Sequence, residues 1–515
     1  MSFSTRQRRS TTSDSSQPSK PESYTKADKP GRSSSSSNGR EESGNDRGLA
    51  WFTALFALGM VRYMSATTNI IHNCDEVFNY WEPLHYLLYK SGFQTWEYSS
   101  RFALRSYLYI VFHEVVGRPA SWLFAYEKVR VFYAVRIFLG LLSVISDATL
   151  VIAVSRKYGK YLAFYALAML CLASGCFFAS TSFLPSSLSM YAMSLSSGLF
   201  LLDKPAQAVA VAAVGVILGG GESHLYGTEG PLFYLRNGFN NFNFCFIFAL
   251  LFLSILPIVW RKYAPDLLIV VSPLYIWLAF MSLQSHKEER FLYPVYPLVC
   301  LAASAVIESF PDLVRDKYSP YDKSTIVVIA KVLRPGALCL ILCASHARTF
   351  SLINGYAAPF EVYKILDHYD DAGTGSVLCV GSEWHRFPSS FFVPDFIGEV
   401  RWINDGFQGL LPFPFNATLG GTSAAPPYFN DKNKASHEQY LEDLQACSFL
   451  VELQLDRPYH YRGNDLSTWE AVAALPYLDR EVSPAKYRSF FIPYLWEQKN
   501  VFGTYKLLKR MSKPK

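Results

Sequence analysis

Two short segments concentrate the residue types that could do chemistry. The first is HNCDEVFNYWEP, residues 72–83, where Asp75 and Glu76 stand beside Phe78, Tyr80 and Trp81, with His85, Tyr86, Tyr89, Trp96 and Tyr98 close behind. A carboxylate placed against a hydroxyl can take its proton as a general base, and aromatic faces with a few carboxylates suit a sugar. Simpler roles stand beside that one. An acid pair can cap the helix expected from Asp75 to about Tyr89, with Gly92 as its stop, and the aromatic residues can form a membrane-interface belt. The second segment is HKEERFLYPVYP, residues 286–297, in which His286, Lys287 and Arg290 precede an apolar run. On helical spacing His286 and Arg290 share a face, as do Lys287 and Arg290, and an arginine can grip a phosphate with two parallel bonds. Snorkelling cations at the end of a span are the alternative. A third segment, HLYGTEGPLFY at 224–234, reads as a turn at Gly227 and Gly230–Pro231 that presents Tyr226 and Thr228, or as an ordinary loop. No Walker loop, H-E-x-x-H, G-x-S-x-G or D-x-D run is present, so neither a metal nor another cofactor is indicated.

The elements that must hold these segments are membrane spans. Half of the 515 residues are hydrophobic and 17% are charged, against about a quarter charged in soluble proteins. The apolar residues cluster in runs of about 17–25, enough to cross a bilayer, which argues against a soluble cytosolic enzyme and a nucleic-acid partner. Nine spans are expected, near 50–70, 129–154, 160–183, 185–202, 205–221, 239–260, 265–284, 291–307 and 326–345. Residues 102–118 carry Arg105, His113 and Glu114 and are expected to lie at the interface without crossing. The turns bearing Arg156, Lys157 and Lys160, then Lys204, then Arg261 and Lys262, fall on one side, which the positive-inside rule makes cytosolic. Loops 71–128 and 285–291 then face the lumen. Arg136 and Asp147 lie within one expected span, eleven residues and so about 16 Å apart along a helix, too far to pair with each other.

Flanking regions complete the plan. Residues 1–48 are Ser-rich and polar and are expected to be a disordered cytosolic tail without a signal peptide. The membrane domain is expected over 49–345 and a luminal mixed domain over 346–515, with a strand at 376–380 and a Pro-rich loop near Pro412–Pro427. That domain holds the sequon Asn416-Ala417-Thr418, a glycosylation acceptor if luminal. Six of the nine cysteines sit in apolar runs. Cys379 and Cys447 do not, and a bridge between them is open.

Four stretches together, CDEVFNYWEPLHYLLYKSGFQTWEYS (74–99), LYGTEGPLFYLRNGFNNFN (225–243), HKEERFLYPVYPLVC (286–300) and VGSEWHRFPSSF (380–391), resemble the dolichyl-phosphate-mannose-dependent mannosyltransferases of glycosyltransferase family 22. The resemblance covers roughly 50–500. It implies an all-α multispan GT-C bundle with a luminal mixed cap, in the endoplasmic reticulum membrane. The implied reaction is inverting α-1,2 transfer of mannose from dolichyl-phosphate mannose to a dolichol-linked oligosaccharide, as its seventh and ninth mannoses. Carried onto this chain, Asp75 is the implied base with Glu76 as partner or alternative, and His286, Lys287, Arg290 and Tyr226 are implied donor-binding residues. One departure from the family stands out. Gly219-Gly220-Gly221-Glu222-Ser223 joins the 205–219 helix almost directly to His224, as if several tens of residues were deleted. Other readings are a GPI-anchor or α-1,6 enzyme of the same family, an inactive shortened form, or a multispan transporter.

Overall fold

The computed structural model describes residues 49, 51–125, 127–219, 229–315, 325–369, 373–416, 418 and 420–511. The expected tail 1–48 and the 220–228 junction lie outside the described residues. Among the described residues, five helical stretches are long and apolar enough to cross a bilayer: Lys128–Tyr158, Phe244–Tyr263, Pro265–Leu283, Glu289–Glu308 and Val328–Tyr356. They correspond to five of the nine expected spans. The other four are shorter or less apolar. Trp51–Thr68 carries Arg62 in its middle. The expected 160–183 span breaks at Ala173, whose extended backbone separates Lys160–Leu172 from Ser174–Ala179. Pro185–Leu201 starts on a proline that needs no N–H partner there, and Pro205–Gly219 follows.

The charged groups inside the bundle reach partners from other parts of the chain. Arg62 pairs with Asp147 at 3.0 Å and donates to the Leu170 carbonyl at 2.9 Å. Asp147 also accepts from Ser194 at 2.7 Å, while Arg136 donates to the Asn69 carbonyl at 2.7 Å. The two in-span charges therefore take different partners, as their spacing requires. Pairing of this kind offsets part of the cost of charge in an apolar bundle.

Ion pairs and bonds also identify the two ends of the bundle. At one end Lys157 reaches Asp266 at 2.7 Å and Asp203 at 3.5 Å, and Lys262 reaches Asp312 at 2.7 Å. The other end carries the candidate residues. The Pro205–Gly219 helix returns to that second end, since Gly215 accepts from Ser189 at 2.9 Å, one turn into the preceding helix. Glu229, after the junction, lies there too, its N–H on the Ser285 carbonyl at 3.1 Å. The chain thus leaves and re-enters the described structure at the same end.

Residues 108–124 form a helix that buries Tyr109, Ile110, His113, Gly117 and Ala120 and turns Leu108, Val111, Phe112, Val115 and Leu123 outward. After the Ala358–Leu366 helix the chain builds a five-stranded sheet, in spatial order Ile397–Trp402, Ser376–Val380, Phe449–Gln454, Phe502–Arg510 and Trp469–Leu478. The first three run parallel, and Phe502–Arg510 runs antiparallel to both its neighbours. The strand expected at 376–380 is present with those bounds. Cys379 and Cys447 are joined by a disulfide, Cα atoms 5.7 Å apart.

Candidate functional site

Asn73 decides where Asp75 points. It holds extended backbone at φ −138° and accepts the Asp75 N–H at 2.9 Å, so it is the helix cap. The expectation that Asp75 caps this helix is corrected: an amide two residues earlier does it, leaving the Asp75 carboxylate free for other partners. The helix runs on through a five-residue π turn, Val77–Trp81, into Glu82–Tyr89. It stops at Lys90 with φ +62°, near Gly92 at φ +140°. A π turn widens the helix locally and is common at functional sites. Here it lets Trp81, five residues on, donate to Glu76 at 3.1 Å.

Asp75 and Glu76, neighbours in sequence, diverge by about 100° around the helix. Glu76 is buried among core residues and also accepts the Phe183 N–H at 2.9 Å. Burial pushes its carboxyl above the usual range, opposed by Arg136 and by these donors. The Asp75 side chain, 30% exposed, meets Arg290 at 2.5 Å across 215 residues of sequence.

Arg290 is held in turn by Glu288, whose carboxylate gathers the site. It takes Arg290 Nη2 at 2.8 Å, lies 3.0 Å from His286 Nε2, and accepts Asn73 Nδ2 at 2.9 Å. The shared helical face expected for 286–290 is corrected. Glu288 is extended (φ −129°, ψ 153°), and a 3-10 helix begins only at Glu289. His286 and Arg290 meet through Glu288 rather than along a helix. Lys287 turns the other way. It is buried, and its ammonium donates to the carbonyls of Glu229 at 2.9 Å and of Gln284, so it ties two loops together. Tyr226 lies outside the described residues. Neither Glu288 nor Asn73 was singled out from the sequence. The only signal available was their place inside the two candidate segments.

The carboxylates of Asp75 and Glu288 line a cavity of about 360 Å³. One wall is Phe78, Asn79, Thr95, Trp96 and Glu97 from the first loop. The other is Trp384, Phe407, Leu410 and Asn433 from the C-terminal region. Glu97 is paired with Arg105 at 2.6 Å, and Arg105 donates to the Tyr80 hydroxyl at 2.8 Å. Aromatic faces with scattered amides, a hydroxyl and three acidic residues suit a polyhydroxylated ligand, and the volume lies within the range of small-ligand sites.

The two walls are joined by Glu82. Its buried carboxylate accepts from Ser389 Oγ, Ser390 N and Ser390 Oγ, each at 2.7 Å, and from Phe93 N at 3.0 Å. Burial pushes this carboxyl up and the four donors pull it back. Phe93–Gln94 pairs with Phe413–Pro414 in a two-stranded ladder beside it. Asn416 is half-buried in a loop, its Oδ1 accepting from the Thr418 hydroxyl at 2.6 Å. Among the described residues no group of three His, Cys, Asp or Glu side chains is placed to hold a metal ion.

Comparison with known proteins gives these features a context. A family model described as the Alg9-like mannosyltransferase family matches residues 53–220 and 216–394. The "Alpha-1,2-mannosyltransferase ALG9" of Arabidopsis thaliana is 64% identical over 572 aligned positions, covering 99% of each chain. Its Homo sapiens counterpart is 32% identical, covering 91% of each. A crystal structure of ArnT from Cupriavidus metallidurans bound to undecaprenyl phosphate aligns at TM-score 0.42 and 11% identity, over 69% of this chain and 86% of that one. The Arabidopsis alignment exceeds the 515 residues of this chain by 57 positions. The two family matches meet at 216–220, beside the Gly-rich junction.

Proposed function

The chain belongs to the Alg9-like mannosyltransferase family, and from that premise we propose that it transfers mannose in α-1,2 linkage from dolichyl-phosphate mannose to a dolichol-linked oligosaccharide, as its seventh and ninth mannoses. The setting is the endoplasmic reticulum membrane, in a GT-C bundle of about nine crossings. The N-terminus faces the cytosol and the site, the Cys379–Cys447 bridge and the Asn416 sequon face the lumen. Basic turns gathered at the opposite end support that orientation, and so does a disulfide in the sheet domain.

One observation carries the site assignment: Asp75, which lines an aromatic-walled cavity, is paired with Arg290 from a distant segment. In the proposed step the acceptor mannose occupies the cavity with its 2-hydroxyl toward Asp75. Asp75 takes the hydroxyl proton as the oxygen attacks the anomeric carbon. The carbon–oxygen bond to phosphate breaks on the opposite face, and dolichyl phosphate leaves with the electron pair. A β-linked donor thereby gives an α-linked product. Arg290 and His286 stabilise the developing phosphate charge, with Glu288 holding both in place. Glu76 keeps the helix seated and takes no proton. Lys287 acts through the loops that it ties.

A second reading, an inactive shortened form, is favoured by the 57 positions without counterpart here. The chain leaves and re-enters at the same end of the bundle, so the missing piece crosses an even number of times. About 57 residues suffice for two spans of about 20 with their turns. Expression in cells lacking the endogenous activity separates the readings. Lengthening of the six-mannose lipid-linked acceptor supports the enzyme. A stable, membrane-inserted chain that leaves the acceptor unextended, and that regains activity when the missing positions are restored, overturns the enzymatic reading of this form.

A further inference from the structure

The C-terminal sheet domain returns to the bundle through one loop whose outer surface is apolar. Residues 489–495, Ser-Phe-Phe-Ile-Pro-Tyr-Leu, leave the helix Ala485–Arg488 and enter the helix Leu495–Lys499. Their backbone is fastened to the last turns of the Val328–Tyr356 helix. Phe491 N–H donates to the Ala347 carbonyl at 2.8 Å, Arg348 donates to the Ser489 carbonyl at 3.2 Å, and Ser351 donates to the Arg488 carbonyl at 2.6 Å. Trp496 Nε1 completes the attachment on Ser351 Oγ at 3.0 Å. Ile492, Tyr494 and Leu495 nevertheless point away from the protein, and Tyr494 is 86% exposed despite φ +65°.

The height of this attachment matters. In the Val328–Tyr356 span the uncharged run ends at Ser345, and His346 and Arg348 follow. That places the hydrocarbon edge within a turn of Ala347, where the loop is bonded. Leu340 and Phe350, exposed at 51% and 53%, continue the same apolar surface below and beside it. Cations gather just behind the loop: Arg488 donates to the Arg480 carbonyl, Arg348 holds Ser489, and Lys486 is exposed.

We propose that residues 489–495 are an interfacial wedge, with Ile492, Tyr494 and Leu495 inserted into the bilayer leaflet beneath the sheet domain and Arg480, Arg488 and Lys486 against its lipid phosphates. The occupant of this apolar face is lipid, because the face is continuous with the outward surface of a membrane span. Apolar tips below a rim of cations are the pattern of a segment lying in the interface, and tyrosine is enriched at that depth. The wedge rests only on the bundle being a membrane domain, independently of the reaction. It gives the sheet domain a second point of contact with the membrane, which fixes the height of the cavity wall carrying Trp384 and Phe407.

Site-specific photocrosslinking in phospholipid nanodiscs tests this. A benzophenone amino acid is placed at Tyr494, at Leu340 within the span, and at Leu466, which is 75% exposed. Leu466 precedes the Trp469–Leu478 strand, so it lies about 30 Å of strand from the bundle contact at Leu478. In a preparation whose position 340 captures lipid, capture at 494 of at least half the yield at 340, with tenfold less at 466, is the expected result. Equal yields at 494 and 466 overturn the wedge, as does capture at 494 of protein alone.

Discussion

Replacing Glu82 by Ala tests whether the 71–128 loop and the sheet domain form one unit. The carboxylate receives four hydrogen bonds, two from backbone N–H groups (Phe93 and Ser390) and two from hydroxyls (Ser389 and Ser390). In the variant the hydroxyls can rotate toward other acceptors, whereas the two N–H groups are fixed by their chain. Leaving a buried donor unsatisfied costs about 1–3 kcal/mol, so the pair sets the loss at roughly 2–6 kcal/mol. Glu82→Gln keeps one acceptor oxygen and presents an NH₂ to the remaining donors, giving a loss of roughly 1–3 kcal/mol on the same scale. The assay is thermal unfolding of the purified full chain in nanodiscs, followed by tryptophan fluorescence from the sheet domain. At roughly 2–4 °C per kcal/mol for a unit of this size, Glu82→Ala lowers the midpoint by roughly 4–24 °C and Glu82→Gln by less. A midpoint within 2 °C of the unmodified chain for Glu82→Ala would refute the reasoning, and so would a larger loss for Gln than for Ala.

Three further outcomes are expected. Cys379→Ser opens a disulfide of sequence separation 68, and the chain-entropy relation puts the loss at about 4 kcal/mol, read as a matching midpoint drop on adding reductant to the unmodified chain. His85, buried with Nδ1 2.6 Å from the Ser91 carbonyl, is held neutral down to about 3 by burial. The unfolded chain takes up that proton below about 6.5, so this stability is complete above that pH and falls as pH drops, by roughly 2 kcal/mol between 6.5 and 5. His85→Asn should flatten the slope of midpoint against pH. Arg62→Met strands Asp147 and should cost about 3–5 kcal/mol, whereas Arg62→Met with Asp147→Leu recovers most of it. Urea unfolding in detergent gives both values.

Charge was the most legible part of the sequence, because in an apolar chain each charged cluster stands out. That scarcity pointed to Asp75 and Arg290, which the fold brings together. Geometry below one helical turn was not legible. The sequence offers two adjacent carboxylates, and only the Asn73 cap and the π turn decide that Asp75 faces the cavity while Glu76 faces the core. The spacing of 286–290 suggested a helix, but the extended Glu288 turns Lys287 inward and makes itself the organising carboxylate. The far cavity wall was hidden for another reason. Trp384, Phe407 and Asn433 lie some three hundred residues beyond Asp75, and nothing local marks them as its neighbours. Long apolar runs such as 129–154 and 326–345 gave helices reliably. The shorter ones were less regular, since Ala173 breaks 160–183 without any proline to announce it.

The claim that Asp75, and not its neighbour, is the base is tested most directly by transfer kinetics. The chain is purified in nanodiscs with a dolichyl-phosphate-mannose donor and a six-mannose lipid-linked acceptor, and Asp75→Asn is compared with Glu76→Gln. A positioned general base contributes about 10²–10⁴-fold. Asp75→Asn should therefore lose at least about 100-fold in kcat with its unfolding midpoint unchanged, while Glu76→Gln keeps kcat within about tenfold even if it is less stable. Near-full activity in Asp75→Asn, or a folded Glu76→Gln that loses activity like a missing base, would contradict the account.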